Sequence, residues 1–270
     1  MERRLGLSRD PFAPSADGEL YWESEERAEL RGQLAAKLLA GHSVCVEGVP
    51  GSGRRSLLTR VAGDLAAGGT PVALLEGAGK VGPGAFLAGL AATVGADPPA
   101  GADLLTLSEY LYRRLVDVFC ATAPAVVVLP WAPAQAAAEE IGILAELRLL
   151  GRPLVTVAVL SSPSLPAGGF DPIRVPELTP EDLRDCLSHR CAAVGRADLL
   201  ASSALEGCLA GVPGLPVALG RARLALRAGI FAAALDAGGA VVHEPRSSVL
   251  DPAQVQEVRR LLESLSPDSL

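Results

Sequence analysis

A glycine-rich segment followed by two arginines carries the clearest chemical signal in this 270-residue chain. Gly48 and Gly53 occupy the two fixed glycines of the motif G-x-x-x-x-G-K-S/T, in which a strand, a loop and a helix follow one another. Glycines let such a loop curl until several backbone N–H groups converge on one phosphate at the helix N-terminus. The spacing predicts a phosphate-binding loop made of Gly48, Gly51, Ser52, Gly53, Arg54, Arg55 and Ser56.

Two side chains of this loop depart from the motif. Arg54 stands where the motif requires lysine, and a broad planar guanidinium does not replace a compact ammonium between two phosphates. Arg55 stands where a hydroxyl would bind Mg²⁺, and one cation cannot coordinate another. Ser56 comes one residue later, about 100° further around the helix, so we do not expect it to substitute. Two other interpretations stay open: a plain glycine turn, or a surface ion pair made by the arginines.

The elements around the loop predict an α/β fold. Apolar runs without polar alternation are typical of a parallel sheet covered on both faces. Such runs lie at 43–47, 71–75, 125–129, 154–160 and 173–175, and helical patterns lie at 24–39, 56–67, 85–94, 108–120 and 134–150. Thr179-Pro-Glu-Asp182 then signals a helix start, and only helices and turns follow. We predict an N-terminal segment and helix (1–40), an α/β core (41–177) and an all-helical domain (178–270).

Composition limits the function classes. Acidic residues outnumber basic ones, 31 to 24, and aromatics make up only 4%, so nucleic acid is a disfavoured partner. Five cysteines without a signal peptide indicate free thiols in a reducing, cytoplasmic setting. No apolar run is long enough to span a membrane. Cys186, His189 and Cys191 do not share one helix face, so we expect no zinc site.

In their order along the chain, these patterns resemble the ExeA/GspA-type AAA+ ATPases associated with type II secretion and type IV pilus biogenesis. The opening segment Leu5 to Phe12 resembles the family's GL-x-x-DPF sequence, and Val126 to Leu129 resembles its Walker B strand. Residues 155–165 resemble the sensor-1 strand, 175–182 the start of the helical lid, 209–213 a lid turn and 250–255 the last helix. The resemblance covers nearly the whole chain. It implies a P-loop AAA+ core with a parallel sheet, followed by an all-helical lid domain.

The chain lacks the residues with which this family hydrolyses ATP. Where the Walker B strand should end in Asp-Glu, for magnesium and for the attacking water, it has Pro130 and Trp131. Gly214 replaces the sensor-2 arginine. The stretch of the trans-acting arginine is shortened to 168–172, and Arg174 is a poor replacement. Because phosphoryl transfer depends on positioning and charge neutralisation, we expect little or no hydrolysis, no catalytic residue and no metal site.

We therefore expect a catalytically degenerate AAA+ protein that acts as a scaffold, adaptor or regulatory subunit through protein–protein contacts and requires no cofactor. The resemblance implies a bacterial secretion, pilus or motility assembly, with an active AAA+ homologue or secretion or pilus components as partners. One alternative is a switch that binds ATP or ADP without Mg²⁺ and with little or no hydrolysis. Another is a DNA-associated regulator of the transposition type. We interpret 236–249 as a linker or an insertion loop.

Overall fold

A computed structural model describes residues 9–12, 20–75, 85–121, 124–133, 138, 141–142, 144–145, 147–165, 168–197, 199, 208–209 and 218–222. Contacts within the chain define two compact units. One comprises 1–24, 50–52 and 177–270, and the other comprises 25–49 and 53–176. The boundary between the two units before Thr179 therefore falls between Pro176 and Glu177.

The larger unit is built on a five-stranded parallel sheet. Its strands are β1 (Val44–Glu47), β2 (Val72–Leu74), β3 (Ala125–Leu129), β6 (Val155–Leu160) and β7 (Asp171–Arg174). They lie in the order β2-β3-β6-β1-β7, and every neighbouring pair is parallel. All five residues of β3 are buried, as are the first five of β6, because both faces of the sheet are covered.

Helices cover the two faces of this sheet. They are α1 (Glu25–Leu39), α2 (Arg54–Ala67), α3 (Ala85–Val94) and α4 (Leu104–Ala121). On one face, residues of α1 and α2 pack against β1, β3 and β6, and this apolar cluster includes Leu34, Leu38, Leu57, Leu58, Val44, Val46, Val126, Val128 and Ala158. On the other face, residues of α3 and α4 pack against β3 and β6, and that cluster includes Leu90, Leu111, Leu115, Val127, Leu129, Val155, Val157 and Val159. The prediction of an α/β fold with a parallel sheet is confirmed.

A short β-hairpin precedes β6, where the sequence pattern predicted the end of a helix. Its strands are β4 (Arg148–Leu149) and β5 (Arg152–Pro153), which pair antiparallel. The predicted helix 134–150 is therefore wrong at its C-terminal end. Leu149 and Leu150 continue the helical spacing of apolar residues, but positive φ angles at Leu150 (52°) and Gly151 (80°) make a two-residue hairpin turn there.

The smaller unit contains the helix that Thr179 was predicted to start. Helix α5 (Pro180–Ala193) begins with a capping box: the Thr179 hydroxyl accepts from the Asp182 N–H, and the Asp182 carboxylate accepts from the Thr179 N–H. An apolar cluster within this unit includes Phe12, Leu20, Leu178, Leu183, Leu187, Cys191, Leu199, Leu209 and Leu219. The buried Arg190 side chain donates to the carbonyl of Pro11, which ties α5 to the N-terminal segment of this unit.

Candidate functional site

The predicted phosphate-binding loop joins β1 to α2, as its sequence indicated. Three glycines give it its shape, because Gly48, Gly51 and Gly53 have φ angles of 143°, 85° and 82°. Gly53 is the N-cap of α2 in the left-handed conformation, and no side chain caps the helix start. The first N–H groups of a helix have no partner within the helix, so this end of α2 can bind an anion.

Arg54 and Arg55 open helix α2 at this end. The Arg54 side chain is partly exposed, and the Arg55 side chain is exposed. Neither guanidinium makes an ion pair with any carboxylate in the part of the chain that the structure describes. The described residues therefore give no support to the alternative interpretation of these two arginines as a surface ion pair. Arg54 can supply a positive charge beside the loop, whereas Arg55 offers a second cation where a hydroxyl would bind magnesium.

The two residues after β3, Pro130 and Trp131, were predicted to replace the acidic pair, and both make apolar contacts. Pro130 is buried, and Trp131 is half-buried against the apolar cluster of α3 and α4. The indole Nε1 of Trp131 donates to the carbonyl oxygen of Leu75 at 2.8 Å, just after the edge strand β2. Neither side chain has an oxygen that could coordinate a metal ion. The donor set at this position does not fit Mg²⁺, so we derive no hydrolytic step here.

The sheet order places the carboxyl end of β6 between the ends of β1 and β3. Two serines follow β6 at this edge, and both are tied to their neighbours. The Ser161 N–H donates to the Val46 carbonyl, and the Ser162 hydroxyl donates to the Pro133 carbonyl at 2.8 Å. The first bond holds the segment after β6 against β1, and the second holds it against the segment after β3.

Cys45 lies in β1, three residues before the loop. Burial is the main cause that raises the pKa of its thiol, the nearby Glu47 carboxylate raises it further, and a hydrogen bond with Ser161 opposes them. A thiol with a raised pKa is a weak nucleophile at neutral pH. Cys45 packs against the apolar cluster of α3 and α4, and its raised pKa makes it less nucleophilic than an ordinary exposed thiol.

Sequence reasoning missed Arg27, which lies beside the loop. Its side chain in α1 is only 7% exposed, and its Nη2 donates to the carbonyl of Pro176 at 2.9 Å. A methyl group placed on Gly53 would lie 3.2 Å from Nη1 of Arg27. The charged neighbours Glu25 and Glu26 make this helix look solvent-exposed, so no pattern in the sequence singles out Arg27.

Other predicted positions give less information. Gly214 and residues 236–249 lie outside the described residues. Arg174 is exposed at the end of the edge strand β7. Cys186 and Cys191 are buried while His189 is exposed, so these three side chains do not converge. Among the described residues, no group of three His, Cys, Asp or Glu side chains could hold a metal ion.

The helices that the structure describes include none that is both long enough and apolar enough to cross a membrane.

Comparison with known proteins identifies the fold. No protein-family profile and no curated protein sequence matches the chain. Solved structures do match it. The Cdc6p protein of Pyrobaculum aerophilum is 18% identical, with 97% of this chain and 74% of that chain covered and a TM-score of 0.66. The Orc1 protein of Aeropyrum pernix in complex with DNA is 18% identical, with 94% of this chain and 69% of that chain covered and a TM-score of 0.63. The ORC2 protein of Aeropyrum pernix, solved with ADPNP and ADP, is also 18% identical, with 96% of this chain and 75% of that chain covered and a TM-score of 0.62.

These similarities show that the chain has the P-loop fold of AAA+ ATPases. The fold is shared at low sequence identity, and fold alone does not determine function. The function must therefore be argued from the loop and from the residues at the ends of the strands.

Proposed function

We propose that this chain is a catalytically degenerate AAA+ protein that acts as a scaffold, adaptor or regulatory subunit through protein–protein contacts. Following the resemblance of its motifs, we place it inside the cell, in a bacterial secretion, pilus or motility assembly. Its partners would be an active AAA+ homologue or components of that assembly. No cofactor is required for this role.

The end of β3 is the observation that carries this proposal. Hydrolysis of ATP needs a metal ligand and a group that orients water at this point of the fold. Here Pro130 is buried and Trp131 is engaged with the Leu75 carbonyl, so both positions serve packing. Arg55 at the start of α2 adds a third incompatible residue. Because these residues lie both at the end of β3 and at the start of α2, a single compensating change cannot restore the reaction.

A second candidate function is a nucleotide-binding switch that holds ATP or ADP without Mg²⁺. The glycine conformations of the loop, the uncapped start of α2 and the partly exposed Arg54 favour it. Backbone N–H groups at a helix N-terminus bind phosphate without a metal ion. Such a switch would report the nucleotide state to its partners without turnover.

A DNA-associated role is the third candidate, and one structural relative was solved in complex with DNA. The net charge of −7 counts against broad binding to the phosphate backbone. Titration of a fluorescent duplex at low and high salt tests this role. Binding that weakens steeply with salt would support it.

Two measurements on the purified chain separate the scaffold from the switch. The first is release of inorganic phosphate from ATP, where we expect no activity above background with or without Mg²⁺. The second is thermal unfolding with ATP or ADP, since a ligand at 100 times its Kd stabilises the folded state by about 2.7 kcal/mol. No shift in the melting temperature supports the scaffold. A shift without Mg²⁺ that disappears in Arg54→Ala, but persists in the surface control Arg113→Ala, supports the switch.

A reversion experiment tests whether the strand-end losses explain the absence of hydrolysis. Arg54→Lys with Arg55→Thr restores the loop motif, and Pro130→Asp with Trp131→Glu restores the acidic pair. We expect the loop reversion to create Mg²⁺-dependent nucleotide binding, and the fourfold variant to release phosphate slowly if it folds. ATP turnover by the unmodified chain, abolished in Arg54→Ala, would refute the proposal.

A further inference from the structure

Helix α4 carries a second row of apolar side chains beside the row that packs on the sheet. The row in the core is buried and consists of Leu107, Leu111, Leu115 and Val118. The second row, which we call the outer row, consists of Leu105, Tyr112, Val116 and Phe119. It lies roughly a third of a turn around the helix from the core row and runs for about 21 Å along it.

Burial within one molecule does not explain the outer row. Leu105 is 79% exposed and Tyr112 is 39% exposed, whereas Val116 and Phe119 are half-buried. The core row already holds α4 against the apolar cluster of α3, β3 and β6. A single exposed leucine is common on protein surfaces, but apolar residues aligned over the length of a helix mark an interaction surface.

Two opposite charges lie beside the middle of the outer row. Glu109 and Arg113 form an ion pair one helical turn apart, with Oε1 and Nη2 separated by 2.6 Å. Both side chains are mostly exposed, and both lie on the same side of the row. On the other side, the Arg152 guanidinium lies over the Phe119 ring at 5.1 Å from its centroid. The middle of the row is therefore apolar with a carboxylate and a guanidinium along one border.

This arrangement is complementary to itself when two helices run antiparallel. Tyr112 lies midway between Leu105 and Phe119, so a two-fold axis beside Tyr112 places Leu105 of one copy over Phe119 of the other. Along the helix axis, Glu109 of one copy then lies roughly 3 Å from Arg113 of the second copy, on the same border. Symmetry forms this contact twice. A parallel pair would instead place Glu109 beside Glu109 and Arg113 beside Arg113, which is repulsive.

We propose that α4 of one copy packs antiparallel on α4 of a second copy, with Tyr112 at the two-fold axis. Both copies use the same surface, so the association stops at two. The outer row exposes well under the roughly 800 Å² per partner of a standard interface, and we expect a weak pair with a Kd of roughly 10 to 100 μM. The contact adds one surface to the proposed scaffold role. Its failure would leave that role standing, because phosphate release and the nucleotide titration test the role separately.

Sedimentation velocity of the full chain over a range of concentrations tests the pair. We expect a monomer and a dimer in concentration-dependent exchange, with no larger species. Tyr112→Glu should weaken association at least about tenfold, because it brings two carboxylates together at the axis. Tyr110→Glu is the matched control: Tyr110 is 37% exposed on the same helix, about 160° around it from Tyr112, and its replacement should leave association unchanged.

A charge swap tests the contact without touching an apolar residue. Glu109→Arg places only arginines on the border, and Arg113→Glu places only glutamates there, so each variant alone should dimerise more weakly than wild type. An equimolar mixture of the two should dimerise again, because every contact across the axis then joins opposite charges. Both side chains are mostly exposed, so these variants keep the fold even where Tyr112→Glu does not.

Disulfide trapping tests the antiparallel direction in a Cys120→Ser background, which removes the exposed native thiol. Tyr112→Cys should form a disulfide-linked dimer on mild oxidation, and Tyr110→Cys should not. Leu105→Cys should stay unlinked as well, because its two copies lie roughly 21 Å apart in the antiparallel pair. A chain that stays monomeric at millimolar concentration overturns the proposal, as do a dimer that Tyr112→Glu leaves unchanged and efficient linking through Leu105→Cys.

Discussion

Replacing Trp131 separates the two contacts that hold this side chain at the end of β3. Trp131→Phe keeps most of the aromatic packing against the cluster of α3 and α4 but removes the indole N–H. Trp131→Ala removes both the packing and the 2.8 Å hydrogen bond to the Leu75 carbonyl. If this position serves the fold and not catalysis, both variants should lose stability, and the alanine variant should lose more.

The structure sets the size of each effect. A neutral hydrogen bond contributes about 1 kcal/mol to the free energy of unfolding, so Trp131→Phe should cost about that much. Full burial of a tryptophan makes its replacement by alanine cost about 3 to 5 kcal/mol. Because Trp131 is only half-buried, we expect Trp131→Ala to cost about 2 kcal/mol in total.

Urea unfolding followed by far-ultraviolet circular dichroism measures these differences without relying on the deleted fluorophore. The midpoint should fall in the order wild type, Trp131→Phe, Trp131→Ala, with an unchanged slope. Two midpoints that both match the wild type would refute the assignment of Trp131 to packing. Phosphate release from ATP provides a second readout, since neither variant should change it from background.

Three further predictions concern single residues. Thr156→Val should raise the free energy of unfolding by about 1 kcal/mol, because the buried Thr156 hydroxyl has no hydrogen-bond partner among the described residues. A variant whose stability in urea equals or falls below that of the wild type would contradict this. Gly41→Ala should lower it by at least about 1 kcal/mol, since φ is 94° and the methyl carbon would clash with a proline ring. The control Gly63→Ala, in an open helical position, should instead raise it by up to about 1 kcal/mol. Burial raises the pKa of the Cys208 thiol to about 11. At pH 8, iodoacetamide should therefore label the exposed Cys120 and should label Cys208 only after urea unfolds the chain. Equal labelling rates of the two cysteines in the folded protein would show that Cys208 is accessible.

The parts of the fold that the sequence predicted are those with strong local signals. The apolar run of β3, the glycine frame around Gly53 and the capping residues of α5 each determine one element by short-range chemistry, and all three are present. The start of α4 was placed four residues too late. Asp103 accepts a hydrogen bond from the Thr106 N–H at 2.8 Å, which begins this helix at Leu104, before its apolar periodicity becomes visible.

The parts that sequence could not predict depend on contacts between distant segments. The hairpin forms because the chain must turn back into β6, and Leu154 closes it with a hydrogen bond to Leu147. The spacing of leucines carries no information about that turn. The role of Trp131 depends in the same way on the Leu75 carbonyl, 56 residues earlier in the chain. The sequence predicted the loss of a catalytic carboxylate at the end of β3, but it did not predict what Trp131 contacts.

Arg27 bears on how the retained glycines should be interpreted. Its guanidinium lies where a side chain on Gly53 would reach, and it also donates to the Pro176 carbonyl at the end of the larger unit. Gly53 is thus needed twice for folding, once for the left-handed start of α2 and once to leave room for Arg27. Contacts within the protein account for the glycine at position 53, so this one glycine does not by itself favour the switch over the scaffold. The two candidate functions differ in what Arg54 binds, and the nucleotide titration of Arg54→Ala against wild type decides between them.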